Sequence, residues 1–144
     1  MTTDDITAFV GPYRWLSNFW PCQINFMGLT FPSVENAYQA AKCKDPIRRK
    51  LFLSCSAATA KSLGRQIEIH PDWDNIKLGV MFRLIEKKFQ DPILRKILLD
   101  TGDHQLIEGN NWGDTFWGVC NGEGQNRLGK ILMAERSLIR ALAT

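Results

Sequence analysis

The chain has 144 residues, 44% of them hydrophobic and 23% charged, an ordinary composition for a globular protein with a buried core. Its net charge of +3 is too small to indicate a nucleic-acid binder by itself. No apolar run approaches the roughly 20 residues of a membrane helix, and the N-terminus is short and acidic, unlike a secretory or transit signal. We therefore predict one domain over residues 1–144, located in the cytoplasm and not in a membrane.

The first 31 residues predict strands and turns. Ile6–Val10 is a candidate strand, and Gly11–Pro21 is a long loop rich in aromatic residues and turn formers. Gln23–Phe26 and Leu29–Phe31 flank the dipeptide Met27-Gly28, a pattern that predicts a β-hairpin.

Helices are predicted through the middle of the chain, each with its own start or stop signal. Ser33–Cys43 begins at a serine N-cap, and Asp45-Pro46 supplies an N-cap and an N1 proline for a second helix. Ser56–Gly64 predicts a third helix, ended by glycine at the C′ position. Asp72–Phe89 is a fourth helix with helical apolar spacing, which predicts a buried stripe of Leu78, Met81, Phe82, Ile85 and Phe89.

Two more helices are predicted in the last third of the chain, with a loop between them. One begins at Asp91-Pro92 and runs through Leu99; the other covers about Arg127–Leu142. Between them lie a possible strand over His104–Glu108 and a glycine- and asparagine-rich loop over Glu108–Asn126. The last helix predicts a core face of Leu128, Ile131, Leu132, Leu138, Ile139 and Leu142. The fold class is α+β, predominantly helical with a few short N-terminal strands.

Metal-ligating residue types are sparse. The four cysteines contain no CxxC pair, and the chain has two histidines. This pattern predicts neither a zinc site nor a disulfide framework, so we expect reduced thiols, no metal and no cofactor.

The first helix gathers four chemically different polar residues on one face. At about 100° per residue, Glu35, Tyr38, Gln39 and Lys42 fall within an arc of ~100°. The pattern alone fits a solvent-facing polar stripe as well as it fits a site. Glu35 and Lys42 lie ~10 Å apart along the axis, so the pair could grip the two ends of one small substrate. A carboxyl group can protonate a leaving nitrogen, and a lysine in a pocket that excludes water can attack a carbonyl carbon.

Two aromatic loops form the second candidate feature. Arg14–Pro21 and Asn110–Gly118 combine aromatic rings with amide side chains, which suits the binding of a flat base but equally a lid over the core. Asp114 could complete a pair of carboxylates with Glu35 for glycosidic cleavage, or simply form an Asx-turn. Gly122–Gly129 precedes a helix and is a weak candidate for pyrophosphate binding.

Several short motifs occur in an order that resembles the NADAR superfamily, also called YbiA-like, over essentially the whole chain. They are WLSNFWP, FPSVENAYQAAK, LGR with HPDW, DTFWG and GQNRLGKILMAER. The resemblance implies a compact, mostly helical YbiA-like domain with N-glycosidase activity. Some members resemble hydrolases of phosphoribosylamino-pyrimidine intermediates of riboflavin synthesis. Others remove ADP-ribose from the guanine amino group of nucleic acid and counteract an ADP-ribosyltransferase toxin.

The resemblance also implies roles for individual residues. Glu35 would act as general acid and base, Lys42 would attack ribose C1″ or stabilise charge there, and Asp114 would orient Lys42 or a ribose hydroxyl. The expected substrate-binding residues are Ser17, Asn18, Phe19, Tyr38, Gln39, Arg65, Trp73, Trp117, Gly118 and Asn126. In the same helix motif, the first turn reads Asn36-Ala37, where an aromatic residue or histidine is common in the family.

Four functions stay open at the level of sequence. The first is removal of ADP-ribose from guanine in nucleic acid, with a separately encoded ADP-ribosyltransferase toxin as a partner; the second is hydrolysis of the riboflavin intermediates. A non-catalytic reader of ADP-ribose would need the aromatic loops but no chemistry at Glu35 or Lys42. An interaction protein would instead use the basic cluster KDPIRRK, Lys44–Lys50, on nucleic acid or a partner.

Overall fold

The computed structural model describes residues 5–143. The backbone divides into two compact units: residues 18–88, and the two flanking segments up to Ser17 and from Phe89 onward. Helices dominate both units and the strands are short, which confirms the α+β class. The prediction of one domain over residues 1–144 stays a prediction. Within residues 5–143, no helix combines the length and hydropathy needed to cross a bilayer.

The unit of residues 18–88 opens with the predicted β-hairpin. Strand β1, Ile24–Phe26, pairs antiparallel with β2, Leu29–Phe31. Met27 and Gly28 form the turn with φ of 56° and 74°. Two consecutive left-handed residues are the geometry of a type I′ hairpin turn, which suits the twist of the two strands.

Four helical elements follow in the same unit, and the predicted capping residues start three of them. Ser33, Asp45 and Ser56 each accept a hydrogen bond from a backbone N–H of the helix that they begin. Helix α1 contacts each of the other helical elements of this unit. The elements are α1 Val34–Ala41, a 3₁₀ helix Pro46–Phe52, α2 Ala57–Leu63 and α3 Trp73–Lys88.

The predicted buried stripe of α3 is partly wrong. Met81, Ile85 and Phe89 are buried, but Leu78 and Phe82 are each 36% exposed. Leu84 and Lys88 are buried as well, so the core face is rotated toward them. Apolar residues cover more than half the circumference of this helix, so periodicity could not identify the face that packs against β1 and α1.

The second unit contains a 3₁₀ helix, two helices and a small parallel sheet. Its 3₁₀ helix occupies Gly11–Leu16, where a loop was predicted. The predicted strands over 6–10 and 104–108 reduce to one bridge, because only Ile6 and Leu106 pair. The regular elements are α4 Pro92–Asp100, β3 Gly109–Asn110, β4 Val119–Cys120 and α5 Arg127–Leu142.

Helix α5 buries polar groups that its apolar pattern did not predict. Leu138 and Leu142 are 40% and 78% exposed, so their assignment to the core was wrong. Arg136 is buried instead, and its Nη1 donates to Thr101 Oγ1 at 2.8 Å. Because this bond satisfies a buried guanidinium N–H, the helix keeps a charged residue on its packed face.

Candidate functional site

The polar face of α1 is buried. Glu35 and Tyr38 are each 8% exposed and Gln39 is 6% exposed, while Lys42 at the C-cap is half-buried. The alternative of a solvent-facing polar stripe is therefore wrong. Burying a carboxylate, a phenol and an amide costs free energy unless they are hydrogen-bonded, so the partners of these groups define what the site can do.

Glu35 is held at the first turn of α1. Gln39, one helical turn later, donates from Nε2 to Glu35 Oε2 at 2.6 Å. The backbone N–H of Glu35 donates to the carbonyl of Asn18 at 3.0 Å. The positive end of the helix dipole stabilises negative charge in the first turn. The carboxylate therefore has a fixed orientation, and Asn18 of the motif WLSNFWP lies beside its backbone.

The amine of Lys42 lies at the other end of the same helix face. Its Nζ donates to the carbonyl of Gly64 at 3.2 Å. Burial lowers the pKa of Lys42, the charge of Glu35 opposes this shift, and the positive charge of Arg65 lowers the pKa further. A lysine with a lowered pKa carries more neutral amine near neutral pH, and the neutral form is the nucleophile.

Gly64 lies beside two of these groups, because its carbonyl accepts from Lys42 and its Cα faces the side-chain amide of Gln39. Sequence reasoning assigned it as a C′ stop, but its φ of −60° is right-handed, so a left-handed cap is not the reason for glycine here. A Cβ at this position would overlap the side-chain amide of Gln39. Gln39 Oε1 itself is buried with no hydrogen-bond partner among the described residues. Gly64 is a site residue that the motif LGR contained but whose role no sequence pattern revealed.

Asn36 is a second residue whose role the sequence did not reveal. It is fully buried and donates from Nδ2 to the carbonyls of Phe52 and Cys55, each at 2.9 Å. Ser33 Oγ donates to its Oδ1 at 2.6 Å. The residue thus ties α1 to the 3₁₀ helix and the segment after it, which is a structural role.

Aromatic rings and a further amide surround the α1 network in the same unit. The ring centroids of Tyr38 and Trp73 lie 5.1 Å apart, and the two ring planes are tilted by 58°. Asn18 Oδ1 is buried and has no hydrogen-bond partner among the described residues, so it can accept a hydrogen bond from a ligand. Phe19 is 40% exposed, with Lys61 Nζ at 5.9 Å from the centre of its ring.

Asp114 organises its own loop in the other unit. Its Oδ1 accepts from the backbone N–H groups of Phe116 at 3.1 Å and Trp117 at 2.9 Å, which is an Asx-turn. Asn110 Oδ1 accepts from the Asp114 N–H at 3.1 Å. The Asx-turn alternative is confirmed, and Asp114 Oδ2 is the carboxylate oxygen left for the predicted role in orienting another group.

Asn126 was predicted to bind substrate, but its side chain hydrogen-bonds to the backbone on both sides. It has a left-handed φ of 49°, donates from Nδ2 to Leu106 O at 3.0 Å and accepts from Glu108 N at 3.0 Å. Its own N–H donates to Gly118 O at 3.2 Å. The residue therefore fixes the loop that carries Trp117 and Gly118 against the start of α5.

The predicted site residues divide between the two units. Ser17 ends the first 3₁₀ helix, where its N–H donates to Arg14 O at 3.0 Å. It belongs to the same unit as Asp114, Trp117, Gly118 and Asn126. The unit of residues 18–88 holds Asn18, Phe19, Glu35, Tyr38, Gln39, Lys42, Arg65 and Trp73.

Comparison with known proteins gives matches over nearly the whole chain. The model of the NADAR domain matches residues 8–140. A protein of Nostoc punctiforme named N-glycosidase is 38% identical over 91% of this chain and 88% of its own length. A riboflavin biosynthesis protein of Vibrio vulnificus is 39% identical over 86% of this chain, and the match spans only 35% of that longer protein.

A solved structure confirms the fold. The NMR structure of the Escherichia coli protein YbiA superposes with a TM-score of 0.85 at 30% identity, covering 99% of this chain and 89% of that one.

Proposed function

This chain belongs to the NADAR domain family, and we propose that it is a hydrolase that cleaves the N-glycosidic bond between ribose and an amine. Relatives named N-glycosidase are matched over most of their length, which supports this enzyme class. The observation that carries the proposal is the buried face of α1. It holds a carboxylate fixed by Gln39 at 2.6 Å and, at its other end, an amine whose pKa is lowered.

Glu35 acts as the general acid and base. Ribose bound to an amine is an aminal, so protonation of the ring oxygen lets the C1″–O bond break while the nitrogen lone pair forms an imine. The hydrogen bond from Gln39 Nε2 to Glu35 Oε2 fixes the orientation of the carboxyl group that delivers the proton. General acid–base catalysis by a positioned carboxyl group contributes about 10²–10⁴-fold in rate.

Lys42 acts as the nucleophile at the opened sugar. Its neutral amine adds to C1″ of the imine, and the resulting diamine expels the original amine after that nitrogen is protonated. Water then hydrolyses the lysine imine, the ribose ring closes and Lys42 is free again. The lowered pKa of Lys42 supports this role because it increases the fraction of neutral amine.

The remaining predicted residues bind and orient the substrate. Asn18 Oδ1, buried and without a partner among the described residues, would accept from a ribose hydroxyl or a base. Tyr38, Trp73 and Phe19 supply aromatic surface. Gln39 and Arg65 would complete the part of the pocket that the unit of residues 18–88 provides. The roles of Ser17, Asp114, Trp117 and Gly118 stay predictions.

The favoured substrate is ADP-ribose on the guanine amino group of nucleic acid. The mild positive charge and the aromatic side chains support it. A separately encoded ADP-ribosyltransferase toxin would then be the partner that makes the substrate. The second candidate, a phosphoribosylamino-pyrimidine, is supported by the name of the Vibrio vulnificus relative.

Two substrates offered side by side test the proposal. One is an oligonucleotide with ADP-ribose on guanine, the other the phosphoribosylamino-pyrimidine, and mass spectrometry follows the released sugar with Glu35→Gln as the blank. Turnover of the first alone supports the nucleic-acid assignment, and turnover of the second alone replaces it with the riboflavin intermediate. Tight binding of ADP-ribose without turnover of either would replace the enzyme by a reader.

A further inference from the structure

A cationic groove lies between the β-hairpin and α3 in the unit of residues 18–88. It is a cavity of about 550 Å³ that is open to solvent. Arg83 and Lys87 of α3 line one side, and the segment Asn25–Thr30 lines the other. None of these residues belongs to the predicted site on α1.

The two cations of the groove are available for a ligand. Arg83 is exposed and Lys87 half-buried, and neither forms an ion pair or a side-chain hydrogen bond within the described part of the chain. They are four residues apart on a helix, hence ~6 Å apart along its axis on one face. That separation is close to the spacing of neighbouring phosphates along a nucleic-acid strand. No carboxylate is among the lining residues, so nothing in the cavity neutralises them.

The hairpin adds a hydrogen-bond donor to the same groove. Thr30 Oγ1 donates to Asn25 Oδ1 at 2.7 Å, which commits the oxygen of that amide. The Asn25 NH₂ group is therefore the end left for a ligand, and it can only donate. Because Met27 and Gly28 fix a tight type I′ turn, the hairpin wall is already formed without a ligand. A guanidinium, an ammonium and an amide donor together suit an anion with several acceptor oxygens.

We propose that this groove binds the phosphodiester backbone of single-stranded nucleic acid next to the modified base, an inference that rests on the proposed function. The hairpin leads directly into α1, since β2 ends at Phe31 and Ser33 caps the helix. From the turn to the end of β2 the strand advances ~10 Å, so the groove and the α1 network are within reach of one short oligonucleotide. The groove thereby distinguishes a nucleic-acid substrate from a free ribosylamine.

Salt-dependent binding tests the groove. The wild-type chain is titrated into an unmodified, guanine-containing single-stranded oligodeoxynucleotide, and fluorescence anisotropy gives Kd between ~50 and ~200 mM salt. We expect Arg83→Gln with Lys87→Gln to reduce the slope of log K against log[salt] by about 1.4, the value for two phosphates on a single strand. At about 0.1 M salt this loss corresponds to ~25-fold weaker binding.

A matched variant removes the same two charges elsewhere. Arg48→Gln with Lys50→Gln neutralises one arginine and one lysine, both exposed, in the basic cluster Lys44–Lys50. We expect this variant to bind as the wild type does. The proposed role of the groove is wrong if the wild type does not bind the oligonucleotide or if the groove variant binds it as tightly as the wild type does. It is also wrong if the Arg48/Lys50 variant loses as much affinity as the groove variant.

A mononucleoside substrate separates this inference from the proposed function. ADP-ribosylated guanosine has no neighbouring phosphodiester, so the groove variant should hydrolyse it at the wild-type rate and lose rate only on the oligonucleotide. Failure of the wild type to hydrolyse either would remove the proposed function, while the binding titration would still decide whether the groove holds nucleic acid. Equal loss of rate on both substrates would overturn the groove.

Discussion

Replacing Gly64 by alanine should disable the site while leaving the fold intact. The added Cβ would overlap the side-chain amide of Gln39. That amide is the end of a flexible side chain, so it can rotate away at a small cost in stability. Rotation breaks the 2.6 Å hydrogen bond from Gln39 Nε2 to Glu35 Oε2, and Glu35 loses its fixed orientation.

The expected loss follows from the strength of that hydrogen bond. A hydrogen bond to a charged group contributes about 1.5–3 kcal/mol, so its loss should lower kcat about 10- to 100-fold. Because only the orientation of Glu35 changes, KM should move less than kcat. Steady-state kinetics on ADP-ribosylated guanosine measure kcat and KM, and a denaturation curve for each variant measures its stability.

A double mutant and a control glycine make the experiment decisive. In a Gln39→Ala background there is no amide to displace, so Gly64→Ala should cost no further rate. Gly79 of α3 has nothing within 4 Å of an added Cβ, so Gly79→Ala should leave kcat unchanged and stabilise the helix by about 0.8–1 kcal/mol. An unchanged kcat in Gly64→Ala, or an equal loss in the Gln39→Ala background, would refute the role of Gly64.

Two further predictions concern the lysines whose pKa values burial lowers. If neutral Lys42 is the nucleophile, kcat/KM rises with pH up to the lowered pKa of Lys42, below 10.5. Arg65→Gln should move this rise to higher pH by removing a charge that lowers the pKa, and an unmoved pH profile would contradict the assignment. Lys88, 2% exposed, has a pKa lowered to about 8 by burial. Between pH 8 and 10.5 the unfolded chain binds more protons than the folded chain, so the free energy of unfolding rises with pH. Urea denaturation should find Lys88→Met up to ~3 kcal/mol more stable at pH 7, with the gain gone near pH 10.5; a variant no more stable at pH 7 would contradict the burial cost.

Local signals in the sequence predicted where most elements begin. Ser33, Asp45, Ser56 and Asp91 all cap helices through hydrogen bonds to the next residues, an interaction that depends only on nearby sequence. The Met27-Gly28 hairpin was predictable for the same reason. Strands that need distant partners were not, which is why the predicted strand from Ile6 reduces to a single bridge.

Burial and tertiary contacts decided what the sequence left open at the site. The spacing of Glu35, Gln39 and Lys42 predicted a shared face but could not say whether that face meets solvent. The role of Gly64 depends on the amide of a residue 25 positions earlier in the chain, Gln39, and no local pattern encodes such an approach. The exposure of Phe82 likewise depends on which face of α3 its neighbours cover.

The role of Lys42 as the nucleophile is tested most directly by trapping its imine. The wild-type chain is incubated with ADP-ribosylated guanosine and a borohydride that reduces imines, then digested and mapped by mass spectrometry. We predict a stable ADP-ribose adduct on Lys42, absent from Lys42→Arg and much reduced in Glu35→Gln. Turnover without an adduct on Lys42, or an adduct on a different lysine, would contradict it.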